Sequence, residues 1–204
     1  MNMAVLTHYF TIESTGSAVF EDRGSKFIGY TFPVKTVIDF KEALARLKKE
    51  HPKASHFCFA YRLGLDGNNY RVSDDGEPSG SAGRPILGQI DSKELKDTLV
   101  VVVRYFGGTL LGVPGLINAY KTAASLAIQV TPSVRKSVEI NYTLQFDYTR
   151  MNEVMIILKR FGCTIHQQEM QLFCSFKVGI AVQSEKDFLK QMKEIPGLTL
   201  NAER

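Results

Sequence analysis

Two glycine-rich stretches hold most of the residues that could bind a ligand or do chemistry. The first, Ser73–Ile86, reads SDDGEPSGSAGRPI and contains three acidic residues, three glycines and two prolines. The second, Arg104–Gly115, reads RYFGGTLLGVPG and follows the most apolar run of the chain. Glycine lets backbone N–H groups approach a ligand closely. Two segments of this composition favour a binding site over simple turns.

The second stretch has the residue types of a site for phosphate and bases. Its glycines, with the positive end of a helix predicted to begin near Pro114, could bind phosphate. The arginine could pair with phosphate bidentately, and either aromatic residue could stack on a base. Alternatively, the glycines form a tight exit from a buried strand, with one aromatic ring in the core. The absence of GxxxxGK[ST] excludes a P-loop. The candidate ligand-binding residues here are Arg104, Tyr105, Phe106, Gly107 and Gly108.

The first stretch places three carboxylates within four residues, which allows either a metal site or a turn. Their spacing matches no EF-hand, so we predict no metal. In the alternative, Asp74 begins a turn, Gly76 adopts positive φ, and a serine caps the next helix. A polar recognition surface and a buried pair of Glu77 with Arg84 are also compatible with the sequence. The candidate site residues of this stretch are Asp75, Glu77, Ser79, Ser81 and Arg84.

Three candidates lie outside these stretches. His56 and Arg62 fall on the same side of an alternating strand and could face a cleft, although a strand histidine on a half-exposed face is the simpler interpretation. Lys121 could contact phosphate from the helix that follows the second stretch. No GxSxG motif occurs, so we predict no catalytic residues and no cofactor.

The elements that must position these residues follow from the apolar patterns. Residues 25–34 and 55–64 alternate as strands, whereas 98–106 is continuously apolar and predicts a central strand covered on both faces. Thr36 and Asp39 predict a capping box for a helix that ends at His51-Pro52. Its expected inward side chains are Val37, Phe40, Leu44 and Leu47. The helix from Pro114 is expected to bury Leu116, Tyr120, Ala123, Ala124, Ala127 and Ile128.

The last third of the chain has a pattern of its own. Residues 136–204 read as β-α-β-β-α-β, the ferredoxin-like order, with Thr149 and Ser184 as expected helix caps. The polar segment TPSVRKS (131–137) precedes this pattern. We therefore predict an α+β protein of two domains, 1–135 and 136–204.

The composition of the chain excludes several classes of protein. The chain has 204 residues, 44% of them hydrophobic, and no apolar run approaches the roughly 18 residues that span a bilayer. Three cysteines without a CxxC motif argue against disulfides and a zinc knuckle, and favour a reducing cytoplasm. A net charge of +4 permits contact with RNA but does not indicate it.

Four motifs, in this order and spacing, closely resemble the YigZ/IMPACT family: SKFIGY, HFCFAYR, DDGEPSGSAGRPI and RYFGGTLLGVPGLINAY. The resemblance covers nearly the whole chain, including the small C-terminal domain of the bacterial members. It implies a first domain with the fold shared by a ribosomal small-subunit protein, domain IV of elongation factor G and some small-molecule kinases. The second domain resembles domain V of that factor. Ser81 stands where members often carry threonine, and Leu110 where many carry lysine or arginine, which weakens a phosphate role there.

The resemblance also implies a role in translation, since eukaryotic relatives bind a regulator of an amino-acid-starvation kinase. The leading hypothesis is a cytoplasmic, non-enzymatic protein that binds structured RNA or the ribosome. The alternatives are a small-molecule enzyme that binds a phosphorylated substrate at the glycine-rich turn, and a regulator with a protein partner. No membrane partner is expected.

Overall fold

The structure, a computed structural model, describes residues 6–203 of the chain. Residues 1–5 and 204, which the predicted domain ranges include, lie outside the described residues. The described residues divide into two compact units, one of Tyr9–Lys136 and the other of residues 137–203 with residues 6–8. In chain order the elements are β1 (His8–Ile12), β2 (Gly16–Asp22), β3 (Ser25–Pro33), α1 (Val37–Glu50), β4 (His56–Leu63), β5 (Asn69–Ser73), α2 (Gly83–Ser92), β6 (Thr98–Tyr105), α3 (Gly112–Gln129), β7 (Ser133–Ser137), β8 (Glu139–Asp147), α4 (Met151–Arg160), β9 (Thr164–Glu169), β10 (Phe173–Ala181), α5 (Glu185–Met192) and β11 (Thr199–Ala202).

The larger unit is built on a five-stranded antiparallel sheet of order β2-β3-β6-β4-β5. The predicted central strand is confirmed, because β6 is buried from Thr98 to Arg104 and pairs with β3 and β4. Its side chains alternate between two cores. Leu99, Val101 and Val103 pack with α1, and Val100 and Val102 pack with α2 and α3. The same alternation directs Arg104 to the side of α2 and α3.

Helix α1 begins at the predicted capping box. The Thr36 side chain accepts a hydrogen bond from the Asp39 N–H, and the Asp39 carboxylate accepts one from the Thr36 N–H in return. Phe40 and Leu47 are buried against the sheet. Val37 is exposed, contrary to the expected inward face, because it occupies the first position of the helix at the rim of the core. The predicted buried face of α3 is confirmed in full.

Two strands of this unit were not predicted. Strand β2 pairs with β3 at the edge of the sheet, and its residues alternate between half-buried and exposed, so it lacks a strong apolar pattern. The polar segment expected between the domains forms β7, which pairs with β1 in a separate two-stranded sheet. Neither segment has a strong apolar pattern, although Phe20 of β2 packs against the core beside Phe27.

The smaller unit has the predicted ferredoxin-like βαββαβ order. Its sheet runs β11-β8-β10-β9, and α4 and α5 contribute to one core with the strands. The predicted caps are wrong. The Asp147 side chain, not Thr149, caps the short 3-10 helix (Tyr148–Arg150) that leads into α4, and Ser184 makes no cap hydrogen bond. In the part of the chain that the structure describes, no helix combines the length and apolarity needed to cross a membrane.

Candidate ligand pocket

The first glycine-rich stretch forms a loop organised by Asp74. One carboxylate oxygen accepts hydrogen bonds from the N–H groups of Ala82 and Gly83, and the other accepts one from Gly80. Burial opposes ionisation of Asp74, but these three hydrogen bonds outweigh it and hold the pKa of its carboxyl below the usual value. Asp74 thus caps α2 from nine residues away.

The expected serine caps of α2 are therefore wrong. Ser79 is exposed, and the buried Ser81 donates its hydroxyl hydrogen to the Pro78 carbonyl at 2.6 Å. The helix begins at Gly83 without a side-chain bond from its own N-cap residue. Asp74, at the start of the loop, accepts the backbone hydrogen bonds that a serine or threonine hydroxyl at the N-cap usually accepts. Gly76 adopts positive φ, as the turn interpretation predicts.

Glu77 joins the two glycine-rich stretches through a buried ion pair. Its Oε1 accepts hydrogen bonds from Arg104 Nη1 at 2.5 Å and from the Tyr120 hydroxyl at 2.7 Å. Only 5% of each charged side chain of this pair is exposed. The suggested pair of Glu77 with Arg84 is wrong, because Arg84 is exposed and the buried cation is Arg104.

Arg104 lies between two aromatic rings. Its guanidinium carbon is 5.3 Å from the centroid of Phe27 and 5.4 Å from that of Phe106. Phe27 is fully buried, whereas 47% of Phe106 is exposed. Among the described residues, the Nε of Arg104 is the buried side-chain nitrogen or oxygen without a hydrogen-bond partner. This charge is thus neutralised and covered, so the arginine does not present itself to bulk phosphate.

His56 is fixed by the loop between β5 and α2. Its Nδ1 lies 2.8 Å from the Asp75 carbonyl oxygen, and its Nε2 lies 3.8 Å from Glu77 Oε1. The carboxylate of Asp75 accepts a hydrogen bond from the Phe57 N–H at 2.7 Å. Both predicted residues therefore belong to this cluster, and Asp75 fastens the loop to the end of β4.

Gly107 and Gly108 shape the exit from β6. A Cβ on Gly107 would lie 1.9 Å from the carbonyl carbon of Gly24, so only glycine allows the β2–β3 turn to pack here. The Gly107 N–H donates to the Ser25 hydroxyl, and Gly108 has a φ of 85°. These features match the tight-exit alternative, because the Gly107 N–H is already used within the protein.

These elements enclose a pocket of about 380 Å³ between the loop after β5, the end of β6 and the start of α3. Helix α3 begins without a side-chain cap, so the N–H groups of Gly112 and Val113 receive no side-chain acceptor there. An uncapped N-terminus favours a negatively charged group. The ten lining residues are His56, Glu77, Pro78, Arg104, Phe106, Leu110, Leu111, Gly112, Val113 and Leu116.

Three predicted site residues lie apart from this pocket or have other partners. Arg62 does not join His56, because it donates to the Asp91 carboxylate and to the Gly67 carbonyl and lies over the Tyr70 ring. Tyr105 points to the opposite face of the sheet, as strand alternation requires for the residue after Arg104. Lys121 is exposed on α3 but does not line the pocket.

The structure also gives roles to residues that the sequence did not single out. The Cys58 thiol donates to the Asp74 carbonyl at 3.0 Å, and burial raises its pKa. Burial likewise raises the pKa of the Tyr120 phenol, so both groups keep their protons. The ring of His51 forms hydrogen bonds with two tyrosine hydroxyls, since Nε2 lies 2.8 Å from that of Tyr30 and Nδ1 lies 2.8 Å from that of Tyr105.

The fold and the pocket together define a class of protein. It has an α+β unit whose two glycine-rich loops edge one pocket, followed by a ferredoxin-like unit. The Impact N-terminal domain pattern matches residues 23–128, which include every candidate site residue. The chain is 31% identical over 180 residues to the IMPACT family member YigZ of Escherichia coli (strain K12), covering 87% of this chain and 88% of that protein.

Other comparisons agree. The IMPACT family member YvyE of Bacillus subtilis (strain 168) is 38% identical over 151 residues, which are 74% of this chain and 69% of that protein. A solved structure titled "Crystal structure of an hypothetical protein" superposes with a TM-score of 0.77 at 30% identity, over 98% of this chain and 99% of the other. Protein IMPACT of Rattus norvegicus is 34% identical over 96 residues, 45% of this chain and 30% of that protein. The chain belongs to the IMPACT family.

Proposed function

We propose that this protein is a non-enzymatic cytoplasmic protein that binds structured RNA or the ribosome through the pocket between its two glycine-rich loops. One observation carries the proposal. The same pocket is lined by an exposed aromatic ring, Phe106, and by the uncapped start of α3. These are the two groups that a nucleotide needs, a stacking surface for the base and N–H groups for the phosphate.

The lining does not favour nucleophilic chemistry. The described residues that line the pocket include no serine, threonine, cysteine or lysine. The nearby Cys58 and Tyr120 are fully buried, and burial raises the pKa of each above its usual value. His56 is the group that could transfer a proton, and its partners among the described residues, the Asp75 carbonyl oxygen and the Glu77 carboxylate, include no hydroxyl or thiol. This arrangement supports binding more than catalysis.

Two exposed cations of the same unit give the electrostatic part of the proposal. Arg23 precedes Gly24, whose backbone packs on Gly107, and Lys121 lies on α3 beyond Val113 and Ile117 on the same helical face. Arg104 is excluded from this role, because Glu77 neutralises it. The expected salt dependence of binding is therefore shallow, with few phosphate contacts.

The test is ribosome co-sedimentation at two salt concentrations, with and without ribonuclease. Phe106→Ala should weaken binding by about 1–3 kcal/mol with little change of salt slope, because it removes stacking. Tyr70→Ala is the matched control, since Tyr70 is also an exposed aromatic ring beneath an arginine, 52% exposed and 5.1 Å from Arg62. Lys121→Ala should make the slope of log K against log salt shallower by about 0.7–0.9. Equal binding by all four proteins, parent included, would exclude this surface.

A protein partner is the second candidate, and an apolar patch favours it. Leu110 is 82% exposed, and Val113 and Ile117 are exposed beside it on α3. Contiguous exposed apolar side chains of this kind occur at protein interfaces. Leu110→Asp would then abolish capture of a ribonuclease-resistant partner, whereas the RNA proposal predicts that ribonuclease releases the bound material. The two proposals differ in that outcome.

A further inference from the structure

Arg104 leaves one hydrogen-bond donor without a partner on the lining of the pocket. Its Nη1 donates to Glu77, and its Nη2 donates to the Ser25 hydroxyl at 3.3 Å. Among the residues that the structure describes, its Nε is the buried side-chain nitrogen or oxygen that lacks a partner. A buried N–H without an acceptor is costly, so a ligand that brings an acceptor to this donor is bound favourably.

The start of α3 presents further donors to the same pocket. Leu111 occupies the N-cap position, where serine, threonine or aspartate usually accepts from the helix, and its side chain packs in the core instead. The N–H groups of Gly112 and Val113 therefore have no side-chain acceptor, and Pro114 has no N–H. Gly112 and Val113 line the pocket together with Arg104. Donors from a helix start and from a buried side chain thus meet on one lining.

The charges around these donors favour an anion with a single charge. Glu77 balances the charge of Arg104, but this ion pair leaves the Nε donor unused. The remaining positive field is that of the helix start, which is equivalent to about half an elementary charge. The Glu77 carboxylate also lines the pocket and would repel a doubly charged group. A phosphodiester has one charge and two unesterified oxygens, so it can accept from both sets of donors.

We infer that the pocket binds one phosphodiester group of single-stranded RNA through the Nε of Arg104 and the N–H groups of Gly112 and Val113. The inference rests on the proposed function, and it gives Arg104 a part in it. The arginine contributes no net charge, because Glu77 neutralises it, but it donates one hydrogen bond to the phosphate. The exposed ring of Phe106, whose centroid is 5.4 Å from the same guanidinium carbon, offers the adjoining base a stacking surface.

The test compares two dinucleotides with the full chain, uridylyl-uridine and its methylphosphonate analogue, in which a methyl group replaces the charged oxygen. The bases and sugars are identical, so stacking on Phe106 does not distinguish the two. We expect the phosphodiester to bind about tenfold more tightly, because a charge-assisted hydrogen bond is lost in the analogue. In a proton–nitrogen correlation NMR titration it should shift the signals of the Gly112 and Val113 N–H groups and of the Arg104 Nε–H.

One variant addresses the start of the helix. Leu110 is 82% exposed and lines the pocket just before α3. A carboxylate there competes for the N–H groups and repels phosphate, so Leu110→Asp should weaken binding of the phosphodiester about tenfold and that of the neutral analogue much less. Val130→Asp is the matched control, because Val130 is an exposed apolar residue at the other end of α3. It should leave both affinities unchanged.

A second variant addresses the unpartnered donor. Arg104→Lys keeps a cation for Glu77 but has no N–H at the position of Nε, so the preference for the phosphodiester should fall. If this variant does not fold, Leu110→Asp and the Arg104 Nε–H signal of the parent protein still decide the inference.

Equal affinity of the parent for the two dinucleotides, with both weakened by Phe106→Ala, would overturn the inference and leave the proposed function intact. Equal losses in Leu110→Asp and Val130→Asp would overturn it as well, and so would binding of ribosomes without binding of either dinucleotide. No binding to the dinucleotides or to ribosomes would overturn both the inference and the proposed function.

Discussion

At the scale of the residue, Asp74 stabilises the loop that forms one wall of the pocket. Its carboxylate accepts three backbone hydrogen bonds at the start of α2, whereas the nearby Ser79 is exposed. We expect Asp74→Ala to lower the free energy of unfolding by about 1–2 kcal/mol, the cost of losing a helix cap. Ser79→Ala should change it by less than about 0.5 kcal/mol. Urea unfolding of both variants measures this, and a larger loss for Ser79→Ala would contradict the assignment of the cap.

Acid stability depends on carboxyl groups of the same kind. Hydrogen bonds lower the pKa of Asp39, mainly from the Lys35 N–H, and that of Asp147, mainly from the Thr149 N–H; the pKa of Asp74 is also lowered. The unfolded chain binds these protons more readily, so the stability they contribute is complete above a pH of about 4 and is lost as the pH falls through the folded values. Melting temperature should therefore fall below about pH 4, and less steeply in Asp74→Asn. Parallel curves for variant and parent would exclude a contribution from Asp74.

We expect the contributions of Glu77 and Arg104 to the free energy of unfolding to be strongly coupled. Glu77→Leu or Arg104→Met alone leaves a buried charge without a partner, which costs about 3–5 kcal/mol of unfolding free energy. The double variant removes both charges, and its loss should be smaller than the sum of the single losses. Urea unfolding of the parent, the two single variants and the double variant gives the coupling energy of this double-mutant cycle. Additive losses would mean that the two side chains act independently, in disagreement with the 2.5 Å contact.

At the scale of the element, the approach of α3 to β3 depends on one residue without a side chain. A Cβ on Gly29 would lie 2.4 Å from the Ala123 carbonyl oxygen and 2.9 Å from the Ala127 Cβ. We expect Gly29→Ala to push the helix from the sheet and to destabilise the protein by about 1–3 kcal/mol. Thermal unfolding gives the measurement.

Gly88 supplies the control for this prediction. It lies within α2, and a Cβ there meets no atom within 4 Å. Gly88→Ala should therefore stabilise the protein by about 0.5–1 kcal/mol through helix propensity. If both substitutions moved the melting temperature in the same direction, the contact of α3 with β3 would not be the cause.

The elements also show which parts of the fold the sequence predicts. Apolar period and capping residues predicted β6, α1 and the buried face of α3, since burial determines those patterns. They did not predict β2 or β7, which pair with β3 and β1 but have no strong apolar pattern. The predicted cap at Ser81 is wrong because Asp74, nine residues before Gly83, accepts the N–H groups at the start of α2, and a single sequence does not show that the loop returns there. The predicted cap at Thr149 is wrong because a short 3-10 helix capped by Asp147 precedes α4, and Ser184 makes no cap hydrogen bond.

At the scale of the whole molecule, the pocket is assembled from segments far apart in the sequence. His56, Glu77, Arg104 and Tyr120 come from β4, a loop, β6 and α3. Composition identified His56, Glu77 and Arg104 as residues able to bind a ligand. It could not indicate that Glu77 neutralises Arg104, because that depends on the pairing of β6 with β4 and the return of the loop. The result changes the expected chemistry, because Arg104 is paired with Glu77 and the exposed ring beside it is that of Phe106.

The two compact units lead to the last prediction. Residues 9–136 contain two cores on opposite faces of their sheet, and the ferredoxin-like unit has a core of its own. A domain with its own core can fold alone, so we expect a chain of residues 9–136 to unfold in one cooperative urea transition. A chain of residues 15–130 lacks β1 and β7, and it also loses the buried Ile12 and the hydrogen bond between the hydroxyls of Thr31 and Thr131. The urea midpoint of this shorter chain should be lower.

Failure of residues 9–136 to fold, while the full protein does, would mean that the cores of the two units depend on each other. Equal midpoints for the two shorter chains would show instead that the sheet of β1 and β7 contributes no stability to this unit.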